Sequence, residues 1–238
     1  MSKILLIRHG QASFGAADYD CLSPLGEQQA VHLGKHLAAQ HLPVHQVIAG
    51  DMKRHQQTRD GVMRALNSKE TAFRIDASWN EFDFRQVLGI VNPDFIHHDK
   101  FTAYLKQHAN PEAEFIRVFS QAIDKWIKGE HTSTPHSEFE PWATFQARVL
   151  QGLENAVATT PKGQNTLVFT SGGAITVVLL SLLHIPLTRF LHINKELVNC
   201  GVTQLRVGKK GAVLLTMNDH SAMELASQES GESFISFK

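Results

Sequence analysis

ILLIRHGQ, residues 4–11, sets four consecutive apolar residues directly before Arg8 and His9 and closes the run with Gly10. A strand with one wet face alternates apolar and polar residues, whereas a continuous apolar run has no wet face. Residues 3–8 are therefore expected to form a strand buried on both sides. Sheets are covered on both faces when helices lie on each, which points to a mostly parallel α/β sheet. In such sheets ligands bind beyond the carboxyl ends of the strands. The run thus ends by presenting a cation and an imidazole where a ligand is expected.

Working outward, Ser23 and Pro24 suit an N-cap and a first helical residue, and Leu25, Ala30, Leu33 and Leu37 form an apolar stripe, predicting a helix to about Gln40. HQVIAG (45–50) reads as a second buried strand, DMKRHQQTRDGVMRAL (51–66) as a helix and TAFRID (71–76) as a third strand. From Gly89 to Gln164 the pattern turns helical, with stripes at Phe115, Val118, Phe119, Ala122 and Trp126 and at Trp142, Phe145, Val149, Leu153 and Ala156. GEHTSTPHSE (129–138) is a polar connection between them and is expected to be a mobile loop. The sheet resumes at NTLVFTS (165–171), followed by a helix and by two strands around the hairpin residues GKKG (208–211). The expectation is one domain over 1–238: a three-layer α/β/α sandwich with a mostly parallel central sheet and a helical insertion at about 89–164. The last ten residues, rich in Ser and Glu, are expected to be loosely held.

Composition narrows the function classes. The 238 residues carry 23 Lys plus Arg and 23 Asp plus Glu, so no global field calls for nucleic acid or an anionic membrane. Any anion preference must be local. Cys21 and Cys200 are too few and too far apart for a disulfide framework or a thiolate metal site. The first apolar run meets Arg8 short of the roughly 7–15 residues of a signal-peptide core, and no apolar run approaches the ~20 residues of a membrane span. A cytoplasmic protein with no membrane partner is expected. His32 and His36 have the i, i+4 spacing of a metal pair but no accompanying carboxylate motif, so they read as a packed or solvated face. Adjacent His97 and His98 read as surface residues.

Three segments converge at the strand ends: Arg8 with His9, the start of the helix holding Arg54, and Ser171 with Gly172 and Gly173. Two guanidiniums bind an oxyanion through planar, bidentate hydrogen bonds, and a helix start offers free N–H groups and a positive dipole end. Phosphate is the natural ligand. These residues resemble the histidine phosphatase superfamily, or phosphoglycerate mutase-like family. RHG (8–10), LSPLGEQQA (22–30), the Arg-x-x-Gln-Thr of Arg54, Gln57 and Thr58, NEFDF (80–84) and LVFTSGGAI (167–175) are similar to its successive motifs, in order and across essentially the whole chain.

The resemblance implies that His9 attacks phosphorus and forms a phosphohistidine, that Glu81 is the general acid and base, and that Arg8, Arg54, Ser171 and Gly172 bind the phosphate. Gln11, Asp83 and His220 are further candidates. The resemblance implies neither a metal nor an organic cofactor, and a partner that is a phosphorylated small molecule or a phosphoprotein. Three departures matter: Ser171 stands where the family has a second His, Gly15 where many members have Asn, and Arg85 where Gly often follows the acidic segment. Losing a charge-assisted hydrogen bond of about 1.5–3 kcal/mol weakens binding or rate by on the order of ten- to a hundredfold. A second reading is therefore a weakened phospho-ligand binder or pseudoenzyme, and a third a phosphoglycerate mutase. Ser171 itself does not read as a hydrolase nucleophile, because Phe169 occupies the position where a nucleophile elbow needs Gly.

Overall fold

The computed structural model describes residues 1–13, 20–67, 72–130 and 139–237; Gly15 and most of the 129–138 connection lie outside them. In chain order the elements are β1 (Ser2–Arg8), α1 (Pro24–Ala39), β2 (Gln46–Ala49), α2 (Lys53–Leu66), β3 (Ala72–Ile75), α3 (Phe84–Leu88), α4 (His98–Leu105), α5 (Pro111–Lys128), α6 (Trp142–Thr159), β4 (Asn165–Thr170), α7 (Gly172–Leu182), α8 (Phe190–Asn194), β5 (Val202–Gly208), β6 (Gly211–Asp219) and α9 (Ser221–Ser230). The chain divides into two compact units: Met1–Glu81 with Arg148–Ile185 and His192–Lys238, and Phe82–Ala147 with Pro186–Leu191.

The first unit holds the sheet. Its six described strands run in the order β3-β2-β4-β1-β5-β6. The β3-β2, β2-β4 and β4-β1 pairings are parallel, and β5 and β6 add antiparallel to the β1 edge. This is the expected α/β sandwich with a mostly parallel central sheet flanked by helices. On one face Leu5, Ile7, Val47, Ala49, Leu167 and Phe169 join residues of α1, α2 and α9 in a continuous core. The alternate residues Ile4, Leu6, Ile48 and Val168 are equally buried, so β1, β2 and β4 are dry on both sides. Among the described residues no helix is long and apolar enough to cross a membrane.

The carboxyl terminus corrects one expectation. Phe234 is buried against this core, and its ring centre lies 4.5 Å from that of His32. Gln29 Nε2 donates to Phe234 O at 2.7 Å and to Ser236 Oγ at 2.9 Å, and Ser236 Oγ donates to Asn199 Oδ1. Serine-rich composition suggested a loose end, but one buried aromatic and a chain of satisfied polar groups hold it.

The second unit is helical. Phe82 lies with its ring centre 4.7 Å from that of Trp126 and 5.4 Å from that of Phe145, and Trp142 meets Trp126 edge-on at 5.1 Å. A further group joins Phe95, Phe101 and Tyr104. The unit begins at Phe82 and leaves α6 after Ala147. Helical periodicity runs further, to Ala156, because α6 itself continues past that point and a continuous helix carries no mark of a unit boundary.

Candidate active site

Arg8 pairs with Thr170 across the parallel β1 and β4, and the His9 N–H continues the ladder to Thr170 O at 2.9 Å. His9 and Ser171 therefore leave the sheet from neighbouring strand ends. The segment after β1 passes α1 backbone against backbone: a Cβ at Gly10 would lie 2.5 Å from Gly26 O, and one at Gly26 would lie 2.2 Å from Gln11 O. Glycine at both positions is a steric requirement of this crossing. Gly10 N–H donates to Thr58 Oγ1 at 3.0 Å, and Thr58 Oγ1 donates to Arg54 O at 2.7 Å, which docks the first turns of α2 on the same segment.

This docking delivers Arg54 to His9. Both are buried, and Arg54 Nε donates to His9 Nε2 at 3.2 Å. His9 Nδ1 lies 2.7 Å from Gly10 O. A carbonyl only accepts, so the proton is on Nδ1 and the lone pair is on Nε2. Burial is the largest cause holding His9 well below the usual imidazole range; Arg54, Arg8 and His55 push the same way, and the Gly10 bond opposes them. The site thus presents a neutral imidazole with a defined lone pair beside two guanidiniums.

Arg8 is buried, donating through Nη1 to Leu197 O and through Nη2 to Phe237 O at 3.1 Å. Its Nε would lie 3.6 Å from a Cβ on Gly172, so the guanidinium passes alongside the start of α7. There Gly173 N–H donates to Glu81 Oε2 at 3.0 Å. Arg148 steadies the segment carrying Glu81, donating to Asn80 O at 2.8 Å, Ser78 O at 3.2 Å and Glu81 O at 3.4 Å.

The structure brings His9, Arg8, Arg54, Glu81, Ser171 and Gly172 together around the ends of β1 and β4. Gln11 stands next to them but serves α1: its N–H donates to Gln29 Oε1 and its Oε1 accepts from Ser23 Oγ, both at 2.8 Å. His220 opens α9, with Nδ1 2.7 Å from Asn218 O and Nε2 3.3 Å from Glu224 Oε1. Asp83, in the helical unit, caps α3 by accepting from Arg85 N–H at 2.9 Å. Three side chains at the site escaped the sequence reading. Asp20 Oδ1 accepts from Arg54 Nη1 at 2.7 Å and its Oδ2 from Lys53 N–H at 2.9 Å. His55, fully buried, lies with Nε2 2.6 Å from Ser171 Oγ. Arg148 is the third. Only His55 carried a signal, as an aromatic residue next to the motif arginine in the first turn of a polar helix.

The chemistry of this arrangement suits an oxyanion: guanidinium donors stand beside a buried imidazole whose charged form is disfavoured. Among the described residues no group of three or more His, Cys, Asp or Glu is placed to hold a metal ion.

The family model described as histidine phosphatase superfamily (branch 1) matches residues 4–114 and 106–220. No curated protein matches. Among solved structures, a phosphoserine phosphatase mutant from Entamoeba histolytica in complex with phosphoserine is similar, with a TM-score of 0.61 at 18% identity, covering 94% of this chain and 100% of that one. A phosphoglycerate mutase from Bacillus anthracis gives 0.64 at 19% identity over 93% and 94% of the two chains. A mycobacterial glucosyl-3-phosphoglycerate phosphatase gives 0.59 at 20% over 91% and 98%. At these identities the likeness is one of fold.

Proposed function

The chain belongs to the histidine phosphatase superfamily, and on that premise we propose that it is a metal-independent phosphatase hydrolysing a phosphomonoester through a phosphohistidine at His9. The observation that carries this reading is the pair of contacts His9 makes: Nδ1 lies 2.7 Å from the Gly10 carbonyl, which can only accept and so assigns the proton there, and Nε2 is left to accept from Arg54 Nε at 3.2 Å. Burial and the two cations keep the ring neutral, which a nucleophile at ordinary pH requires.

In the first step the incoming phosphate takes Arg54's place at Nε2, and Arg54 turns its donors to the non-bridging oxygens together with Arg8, Ser171 and the Gly172 N–H. Nε2 attacks phosphorus, the N–P bond forms, the ester P–O bond breaks, and the leaving alkoxide takes a proton from Glu81. In the second step Glu81 takes a proton from water as its oxygen attacks phosphorus. The N–P bond breaks and returns its electron pair to Nε2. Small phosphorylated molecules are the substrate class suggested by the similar structures, among them a phosphatase bound to phosphoserine and one named for glucosyl-3-phosphoglycerate. A phosphoprotein is the other substrate class, and specificity falls to the residues around the pocket.

One observation favours a second reading. Ser171 offers a short, uncharged donor where the resemblance calls for imidazole, which suits a phospho-ligand binder with little turnover. Hydrolysis of an aryl phosphate, with and without chelator, separates the two. The wild type is expected to turn over in both conditions and to trap an acid-labile phosphohistidine, and His9→Ala to lose at least about a thousandfold in rate. Phosphate affinity without turnover or phosphohistidine would make the protein a binder.

A further inference from the structure

His55 is a buried imidazole that this mechanism does not use. It follows Arg54 in the first turn of α2, its Nε2 is 2.6 Å from Ser171 Oγ, and its ring centre is 5.7 Å from that of His9. The backbone is shaped around it: a Cβ on Gly50 would lie 2.3 Å from its Nδ1 and 3.0 Å from its Cε1. Glycine at 50 is what leaves room for the ring.

Ser171 is equally committed. It occupies the N-cap position of α7, where a serine oxygen ordinarily accepts from an amide of the first turn, yet it makes no such bond. The Gly173 amide is answered by Glu81 instead, and the hydroxyl is left to His55. The direction of that bond follows from the other ring nitrogen. His55 Nδ1 is buried with no hydrogen-bond partner among the described residues. A buried N–H without an acceptor is rarer and costlier than an acceptor without a donor, which places the proton on Nε2. Nε2–H then donates to Ser171 Oγ, and the serine's own hydrogen is available for a further acceptor.

We infer that His55 and Ser171 form one donor arm of the phosphate pocket, in which the imidazole holds and polarises the hydroxyl and the hydroxyl donates to a phosphate oxygen. His55 is thus a positioning residue acting through Ser171, and the arm is assembled from two elements, α2 and the end of β4. The inference rests on the phosphate-binding part of the reading above and not on turnover.

A double-mutant cycle tests it, with inorganic phosphate and orthovanadate as calorimetric probes alongside kcat, KM and thermal midpoints. Ser171→Ala and His55→Ala should each weaken phosphate binding by about ten- to a hundredfold, and the double variant should be within about threefold of Ser171→Ala, because the two act as a unit. His55→Gln, which restores an N–H near the Nε2 position, should recover much of the loss. Gly50→Ala, whose Cβ would meet the ring and also Asn80 Oδ1 at 2.7 Å, should match His55→Ala in phosphate affinity while its effect on turnover includes the Asn80 segment. Should His55→Ala not fold, Ser171→Ala and His55→Gln still decide. A two-bond nitrogen–proton spectrum of the imidazoles should place the His55 proton on Nε2.

Losses that multiply in the double variant, a His55→Ala whose midpoint falls while its affinity holds, or a proton on Nδ1 would overturn the inference. A wild type that binds phosphate with a coupled cycle but does not turn over would sink the phosphatase reading and leave the donor arm standing. Turnover with an uncoupled cycle would do the reverse.

Discussion

Two helices of the sheet unit begin with serine at the N-cap and use it in opposite ways. At α1, Ser23 Oγ accepts from Gly26 N–H at 3.1 Å, and Pro24 follows as the first helical residue. At α7, Ser171 turns its oxygen to His55, and the helix amide is answered by Glu81, 92 positions earlier in the chain. The start of α2 behaves like that of α7: Met52 supplies no side-chain cap, and Lys53 N–H donates to Asp20, 33 positions away. A local cap stabilises its helix alone. A distant cap also fixes where two segments meet, so at α2 and α7 the bonds that complete the helices place the carboxylates Asp20 and Glu81 beside the proposed phosphate pocket.

The contrast is tested most strongly at Glu81, where the cap and the proposed proton transfer share one carboxylate. Glu81→Gln keeps an oxygen to accept from Gly173 N–H but cannot exchange a proton with the leaving group or water. Turnover is expected to fall by about 10²–10⁴-fold with the thermal midpoint nearly unchanged. Glu81→Ala should show the same kinetic loss and add about 1 kcal/mol of destabilisation for the missing cap. Rates for Glu81→Gln equal to wild type would separate the two roles and move the acid to another carboxylate, Asp83 being the nearest in sequence. Single-turnover rates with an aryl phosphate, beside thermal unfolding, read both effects.

The same contrast marks what the sequence made legible. Ser23-Pro24 announced α1 because its cap is local, and the apolar runs at 4–7 and 167–169 announced buried strands because they have no wet face. Arg8, His9, Arg54 and Glu81 were legible only as an ordered set, since each taken alone is an ordinary charged or polar residue. Asp20 and Arg148 were not legible. Asp20 acts on Arg54 and Lys53 across more than thirty residues, and Arg148 acts on backbone carbonyls about seventy residues away, whose positions no local pattern encodes. His55 lay in plain view beside Arg54, but its meaning depends on Gly50 and Ser171, which the fold alone brings to it.

Burial at the pocket also sets an acid limit. His9 and His55 are both held well below the usual imidazole range, chiefly by burial, with Arg54 adding to each. Below the unfolded value of about 6.5 the unfolded chain takes up protons that these folded imidazoles refuse, so stability falls as pH drops until the depressed folded values are reached. Each ring contributes a slope of up to about 1.4 kcal/mol per pH unit in that window and nothing well above it. Denaturant midpoints measured from neutral pH downward should show the slope, and His55→Gln should remove one ring's share. An identical slope in that variant would mean that the start of α7 is wetter than its hydrogen bonds imply. By the same sign, the proposed phosphatase reaction should keep a neutral His9 below pH 6.5.

The smallest effect belongs to the local cap. Ser23→Ala removes the bond to Gly26 N–H and the donor to Gln11 Oε1, both part-buried. The expected cost is about 1 kcal/mol, or roughly 2–4 °C in the thermal midpoint of a chain this size. Ser23→Thr, which keeps an accepting hydroxyl, should recover most of it. Phosphate affinity should be unchanged in both, because the cap holds α1 and reaches neither His9 nor the starts of α2 and α7. Ser171→Ala should give the opposite pattern, since no capping bond is lost but the Nε2–H of His55 loses its acceptor and phosphate loses a donor. If Ser23→Ala weakened phosphate binding as much as Ser171→Ala, the division between a cap that only stabilises and a serine that serves the ligand would fail. Gln11, which accepts from Ser23 and follows Gly10 in the chain, would then be the route by which the start of α1 reaches the pocket.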